Sequence, residues 1–224
     1  VKPGPIMAGS DELEVIVRGR SSHAAMPHEG TDALVLAAQG ILAAQQAVSR
    51  RLSPMENGVV TFGQIQGGVA SNVVPEEIRL LGTVRYFAEE VRERLHDGVR
   101  GAFKGLEAQG AEVEVRVLPG YPPVVNDEVL ARRARSVAEE VAGGDDVWEA
   151  EPMMGAEDFA ILAQQAPGFF FWVGAALPDP REHHNPRFDI DESVLPLGAA
   201  LLAELGRALL TESGRTLSEP GPAS

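Results

Sequence analysis

The 224-residue sequence predicts an α/β fold: a ferredoxin-like βαββαβ unit followed by part of a second α/β layer. Three observations carry this. Two segments, 11–18 and 111–118, alternate apolar and polar residues as half-buried strands do. Two long stretches of helical periodicity are interleaved with the strand patterns. A continuous apolar run, FFFWV at 169–173, has the character of a strand buried on both faces.

Residues 1–10 are rich in Pro and Gly and read as a linker. DELEVIVR (11–18) sets Leu13, Val15 and Val17 on one strand face. Residues 31–49 predict a helix capped by Thr31 or Asp32, with Leu34, Val35, Ala38, Ile41, Leu42 and Val48 as its apolar positions. Strands are expected at 58–66 and 77–87. A helix from about 88 to 109 carries the stripe Val91, Leu95, Val99, Phe103 and Leu106 and ends at Gly110. AEVEVRVL (111–118) closes the unit. The order strand, helix, strand, strand, helix, strand therefore spans 11–120.

Tyr121-Pro122-Pro123 marks a domain boundary. Beyond it the sequence predicts a helix at 127–142, a short strand near 147–151, a loop-to-helix segment from Met154 to Gln165, the buried strand at 169–173, and a closing helix at 193–211. Residues 212–224 read as a disordered polar tail. About 90 residues with one strongly buried strand are thin for an independent core. Region 121–211 is therefore expected to complete a sheet whose other strands lie elsewhere, and the opening Val-Lys-Pro-Gly-Pro reads as the interior of a longer polypeptide.

The formal net charge of −14 argues against nucleic acid and anionic membrane as partners, since both select for excess Lys and Arg. The absence of Cys excludes a disulfide framework, a thiolate nucleophile and Cys-ligated zinc, and fits a reducing, cytoplasmic setting. No unbroken run of about 18 apolar residues occurs, so no bilayer span is expected.

Four loop clusters and one strand-borne Arg could carry chemistry. SSHAAMPH (21–28) presents His23 among small residues, where imidazole can donate to a developing oxyanion. GGVASNVVP (67–75) pairs a flexible bend with Asn72, an amide donor for a carbonyl. Arg85 in GTVR, borne on a strand, suits bidentate grip of a carboxylate. MGAEDF (154–159) offers Glu157, and HHNP (183–186) offers His183 and His184 as imidazole ligands beyond a buried strand. Each cluster also fits a plain connector: an exposed loop His, an ordinary strand turn, a solvated sheet face, acids at a helix start, a polar loop.

Taken in order, KPGPIMAGSDELEVIVRG, HAAMPH, GGVASNVVPEEIRLLGTVR, MMGAEDF and HHNPRFDIDE resemble the dinuclear-metal peptidase family that includes carboxypeptidase G, aminoacylase and succinyl-diaminopimelate desuccinylase, and most nearly the hippurate and indoleacetyl-amino-acid hydrolases. The resemblance implies a lid or dimerisation domain at 11–120. Residues 1–10 and 121–211 would belong to a zinc-exopeptidase α/β catalytic domain whose other half, with most metal ligands and the general-base Glu, lies outside this chain. It implies metal-dependent cleavage of the amide bond of N-acyl amino acids or peptides. It also implies two divalent ions (Zn, Mn, Co or Ni) that lower the pKa of a bridging water, and a homodimer formed through the lid. His184, the His directly before Asn-Pro, matches a metal ligand. His23 matches the lid His that reaches the other subunit's site to support the oxyanion. Asn72 and Arg85 match substrate contacts, and Glu157 an acid near the metals. Ser21-Ser22 stands where the branch often has two glycines. Two other readings stay open: a non-catalytic dimerisation module, and a metal-free hydrolase pairing His23 or His184 with a Ser, although no strained nucleophile turn is present.

Overall fold

The computed structural model describes residues 1–181, 183 and 185–212. In chain order the strands are β1 (Gly4–Met7), β2 (Gly9–Arg18), β3 (Ser22–His23), β4 (Gly58–Gly67), β5 (Val73–Val74), β6 (Glu77–Tyr86), β7 (Glu112–Pro119) and β8 (Val124–Asn126). The helices are α1 (Ala33–Ala44), α2 (Gln46–Ser49), α3 (Glu89–Lys104), α4 (Glu128–Ala142), α5 (Phe159–Ala163) and α6 (Leu195–Glu212). The chain forms two compact units, one of residues 7–124 with 152–165, the other of residues 1–6, 125–151 and 166–224 as far as they are described.

The larger unit holds a four-stranded antiparallel sheet in the order β4-β6-β2-β7. With α1 joining β2 to β4 and α3 joining β6 to β7, this is the expected βαββαβ arrangement. Both helices cover one sheet face. Leu13, Val15 and Val17 of β2, Ile78, Leu80 and Val84 of β6, and Val91, Leu95, Val99 and Phe103 of α3 fill the space between. The α3 stripe is the one its periodicity predicts. Helical geometry gives way to a 3₁₀ turn at Gly105–Gln109, and Gly110 ends it with φ at 90°, which only Gly adopts without cost.

The first helix is rotated from expectation. Asp32 caps α1 through Leu34 N–H and Val35 N–H. The helix buries Ala33, Leu36, Ala37, Gly40 and Ala44, whereas Leu34, Val35 and Leu42 are exposed. Because α1 is apolar all round, its periodicity could not choose a face. Close packing chose the small one: a Cβ on Gly40 would lie 2.4 Å from the Phe103 ring, which itself packs edge-on against Phe62 at 5.7 Å. The expected helix also breaks after Ala44, leaving α2 as a separate turn.

One acidic residue sits in this core. Asp11 shares the core-facing side of β2 with Leu13 and Val15 and is 1% exposed. Its carboxylate accepts from Arg92 Nε at 2.6 Å and Nη2 at 3.3 Å, and from Gly120 N–H at 3.2 Å. The Arg92 guanidinium lies over the Tyr86 ring at 5.5 Å. Burial, with the Asp11 charge adding to it, pushes the Tyr86 hydroxyl up to about 12. His96, also buried, places Nε2 2.8 Å from Asp11 Oδ2 but outside hydrogen-bonding alignment. Burial holds its pKa below the usual 6.5, with Asp11 opposing that shift and Arg92 and Arg100 adding to it. On the open sheet face, Glu14 bridges Arg79 at 2.6 Å and Arg116 at 3.2 Å; the Arg79 hydrogen bond is the main cause of its lowered pKa.

In the smaller unit α4 packs against α6, with Ala138, Val147 and Leu201 at the centre. Asp127 caps α4 through Val129 N–H and Leu130 N–H. Several sequence expectations change. Residues 1–10 are not a linker, because they supply β1, paired with β8, and the start of β2. Residues 147–151 form no strand and follow a 3₁₀ turn at Gly144–Asp146. FFFWV (169–173) is irregular and only half-buried. The Asn126 side chain holds it, donating to Phe170 O and accepting from Phe170 N–H. Glu212 ends α6 rather than opening a tail, and residues 213–224 lie outside the described residues. The helical stretch Glu192–Thr211 is long and apolar enough to cross a membrane by length and composition, although no unbroken apolar run exists. It buries Leu201 and Ala208.

Two outcomes follow. Gly to Ala within a helix normally stabilises by about 0.5–1 kcal/mol. Gly40→Ala should instead destabilise by about 1–3 kcal/mol, because the Phe103 ring must move; a raised urea midpoint would contradict this packing. The second outcome concerns His96. Its folded pKa lies below 6.5, so the unfolded chain binds more protons as pH falls. Its contribution is complete above about 6.5 and is lost as pH drops through the window beneath. That loss begins at higher pH than the loss from Glu14 and Glu56, whose pKa values are held below 4.5. His96→Gln should flatten the slope of urea-unfolding stability between pH 7 and 5; an unchanged slope would place the titration elsewhere.

Candidate functional site

Two loops far apart in sequence meet at one end of the sheet. β3 pairs antiparallel with β5, setting His23 opposite Val73. Ala24 N–H donates to the Asn72 carbonyl at 3.0 Å, and Ser21 Oγ donates to Val74 O at 3.0 Å. His23 and Asn72, assigned to separate clusters in the sequence, therefore share one edge, and both are exposed. Ala25 N–H donates to His23 Nδ1 at 3.0 Å. A neutral imidazole accepting at Nδ1 carries its proton on Nε2, so the exposed nitrogen is a hydrogen-bond donor. Behind this edge the chain is tightly packed: a Cβ on Gly30 would come 2.6 Å from Arg20 O and 2.7 Å from Ser22 Oγ.

Arg85 stands at the opposite end. Its strand neighbours are Ser10 in β2 and Val59 in β4. Between Glu77, where β6 leaves the β3–β5 end, and Arg85 lie eight residue steps, roughly 27 Å of strand. Arg85 is half-buried on the open face of the sheet and lines a cavity of about 660 Å³ with Thr61, Gln64, Arg79 and Thr83. Its Nη1 donates to Thr83 Oγ1 and, at 3.2 Å, to Val84 O. Thr83 Oγ1 in turn donates to the Asp11 carbonyl at 3.0 Å.

Glu157 belongs to the Arg85 end. Ala8 N–H donates to Met153 O at 3.1 Å and Gly155 O at 3.0 Å, which fixes this segment one residue before Gly9, the strand partner of Tyr86. Glu157 is half-buried, and its carbonyl accepts from Ala160 N–H in the first turn of α5. His184 lies outside the described residues. In the smaller unit the neighbouring His183 is exposed, stands edge-on to Phe188 at 5.3 Å, and lines a cavity of about 380 Å³. Among the described residues, no three His, Asp or Glu side chains converge into a group that could hold a metal. These residues alone therefore do not fit a dinuclear centre.

Sequence reasoning passed over Asp11 and Thr83. Asp11 carried a signal, an acid at the core-facing phase of an alternating strand. Thr83 carried only its i, i+2 spacing from Arg85, which puts the two on one strand face.

Comparison with known proteins gives one answer. Residues 8–208 match Peptidase family M20/M25/M40. The chain is 35% identical over 206 residues to an N-acetylcysteine deacetylase of Bacillus subtilis, covering 92% of this chain and 53% of that protein. It is 36% identical over 196 residues to an N-acetyldiaminopimelate deacetylase of Leuconostoc mesenteroides, covering 86% and 50%. Among solved structures, a Staphylococcus aureus putative aminohydrolase superposes with a TM-score of 0.82 at 29% identity, over 93% of this chain and 55% of its own. A Bacillus subtilis protein described as a dinuclear metal binding peptidase superposes with 0.77 at 31% identity, over 94% and 53%. The chain thus spans about half the length of the curated relatives it matches.

Proposed function

Because the chain belongs to peptidase family M20/M25/M40, we propose that it contributes to metal-dependent hydrolysis of the amide bond of N-acyl amino acids. The names of the relatives support the substrate class, which spans N-acetylcysteine, N-acetyldiaminopimelate and, in Arabidopsis, conjugates of IAA with amino acids. The observation that carries the reading is the β3–β5 pairing, which sets the Nε2–H donor of His23 beside Asn72. In this reading the four-stranded unit, residues 11–120, is a lid. His23 donates to the oxyanion that develops on the acyl carbonyl, Asn72 hydrogen-bonds the substrate, and Arg85 grips its carboxylate. Glu157 lies near the metals and His184 ligates one of two divalent ions, the remaining ligands coming from sequence outside these 224 residues. When bound, such ions supply Lewis-acid polarisation and an activated water.

The same geometry favours a homodimer. His23 and Arg85 stand at opposite ends of β6, whose run from Glu77 to Arg85 covers roughly 27 Å, whereas a substrate two residues long spans only about 7 Å. One molecule can meet both only if a second copy supplies one of them. A suitable surface exists. α1 and edge strand β4 contain no charged residue, in a chain of net charge −14, and expose Leu34, Val35, Leu42 and Ile65. The other flank, α3 and β7, is densely charged. An uncharged edge strand beside an apolar helix face is what sheet proteins ordinarily cover.

The test is hydrolysis of a panel of N-acetyl amino acids by the full gene product. Chelation should abolish turnover, and added Zn or Mn should restore it. His184→Ala should remove activity, whereas His23→Ala should lower kcat about 10²–10³-fold with little change in KM, as loss of an oxyanion donor does. Metal-independent turnover would reject the metal reading. No turnover on any N-acyl amino acid would favour the non-catalytic module.

A further inference from the structure

The hydrogen bonds around Arg85 run in one direction only. The Asp11 carbonyl can only accept, so the single proton of Thr83 Oγ1 points to it, across 3.0 Å. The hydroxyl then has only lone pairs left for Arg85, whose Nη1 donates to it and to Val84 O. Both Nη1 hydrogens are thereby occupied within the strand. Nε–H and Nη2–H, the other edge of the guanidinium, have no hydrogen-bond acceptor among the described residues, and Arg85 lines the 660 Å³ cavity. That edge carries two parallel donors at the spacing of a carboxylate's two oxygens. The far end of the relay is fixed as well: Asp11 is buried, and its side chain is held by Arg92 and by Gly120 N–H.

We infer that Thr83 is a positioning residue that turns Arg85 so as to present its Nε/Nη2 edge to a substrate carboxylate. This rests on the reading of Arg85 as the carboxylate grip. Removing the hydroxyl leaves Nη1 with Val84 O as its one partner and lets the guanidinium turn about its last rotatable torsion, so the cost falls on binding of the charged end and not on the bond-breaking step. Thr83→Val keeps the β-branch that suits a strand but lacks the hydroxyl, and Thr83→Ser keeps the hydroxyl.

The experiment compares KM and kcat of the full gene product for its best N-acyl amino acid and for the matching carboxamide, which has no charge to grip. Thr83→Val should raise KM for the acid about tenfold, leave kcat within a factor of two, and leave the carboxamide unaffected. Thr83→Ser should behave as the parent. Arg85→Ala should raise the acid KM further, and adding Thr83→Val to it should change nothing more. If Arg85→Ala discriminates acid from carboxamide and Thr83→Val does not, the positioning role is wrong. If Thr83→Val weakens both substrates alike, its role is structural and the inference falls. If Arg85→Ala fails to discriminate, the reading of Arg85 itself falls first.

Discussion

A carboxylate on the core-facing side of a central strand is costly unless charged and neutral donors surround it. Asp11 meets that requirement with Arg92 from α3, Gly120 N–H from the end of β7, and a place beside His96 and Tyr86. The solution couples parts that sequence separates. α3 is pinned to the sheet by charge as well as by its apolar stripe, and the exit of β7 is tied to the start of β2. The backbone carbonyl of the same residue accepts from Thr83, so the restraint reaches the open face of the sheet, where Arg85 lines the cavity. The buried Asp11 carboxylate thus lies at the end that carries Arg85, whereas the end that carries His23 is held by the β3–β5 pairing and the Ser21 hydroxyl on Val74 O.

The two flanks of the sheet divide along similar lines. α3 and β7 are charged, and the small face of α1 packs so closely on Phe103 that its larger apolar side chains face outward. An unpartnered surface of that kind beside an uncharged edge strand fits a reading in which two copies associate. The separation of His23 from Arg85 gives association a chemical purpose. Each lid would serve its own catalytic site with one end and the other copy's site with the other.

Much of this was legible in the sequence. Alternation at 11–18 and 111–118 and the stripe from Val91 to Leu106 place three of the six elements of the larger unit on the correct faces. Where patterns lost information, the reason was physical. α1 is apolar on every side, so its face was decided by shape at Gly40 and Phe103. FFFWV is as apolar as a central strand, yet its backbone is held by the Asn126 side chain instead of a strand ladder, a choice that hydropathy does not encode. The membrane-length helix at 192–211 was hidden by Glu204 and Arg207, which interrupt the run without lowering its mean hydropathy enough. Each candidate site residue is nameable from its cluster, but the nearness of His23 to Asn72 and the separation of both from Arg85 needed the register of β3 with β5 and of β2 with β6.

Complementation between two inactive variants tests the central claim, that the ends of the sheet serve different copies. His23→Ala and Arg85→Ala full-length proteins would be unfolded together, refolded as a mixture and assayed at an N-acyl amino acid concentration below the parental KM, where each variant alone has little activity. If His23 acts in the site of the other copy, the mixed dimer contains one site with both residues intact, and the mixture should recover about a quarter of parental turnover. A mixture that shows only the residual activity of its two components would place both residues in the service of one chain and contradict the account.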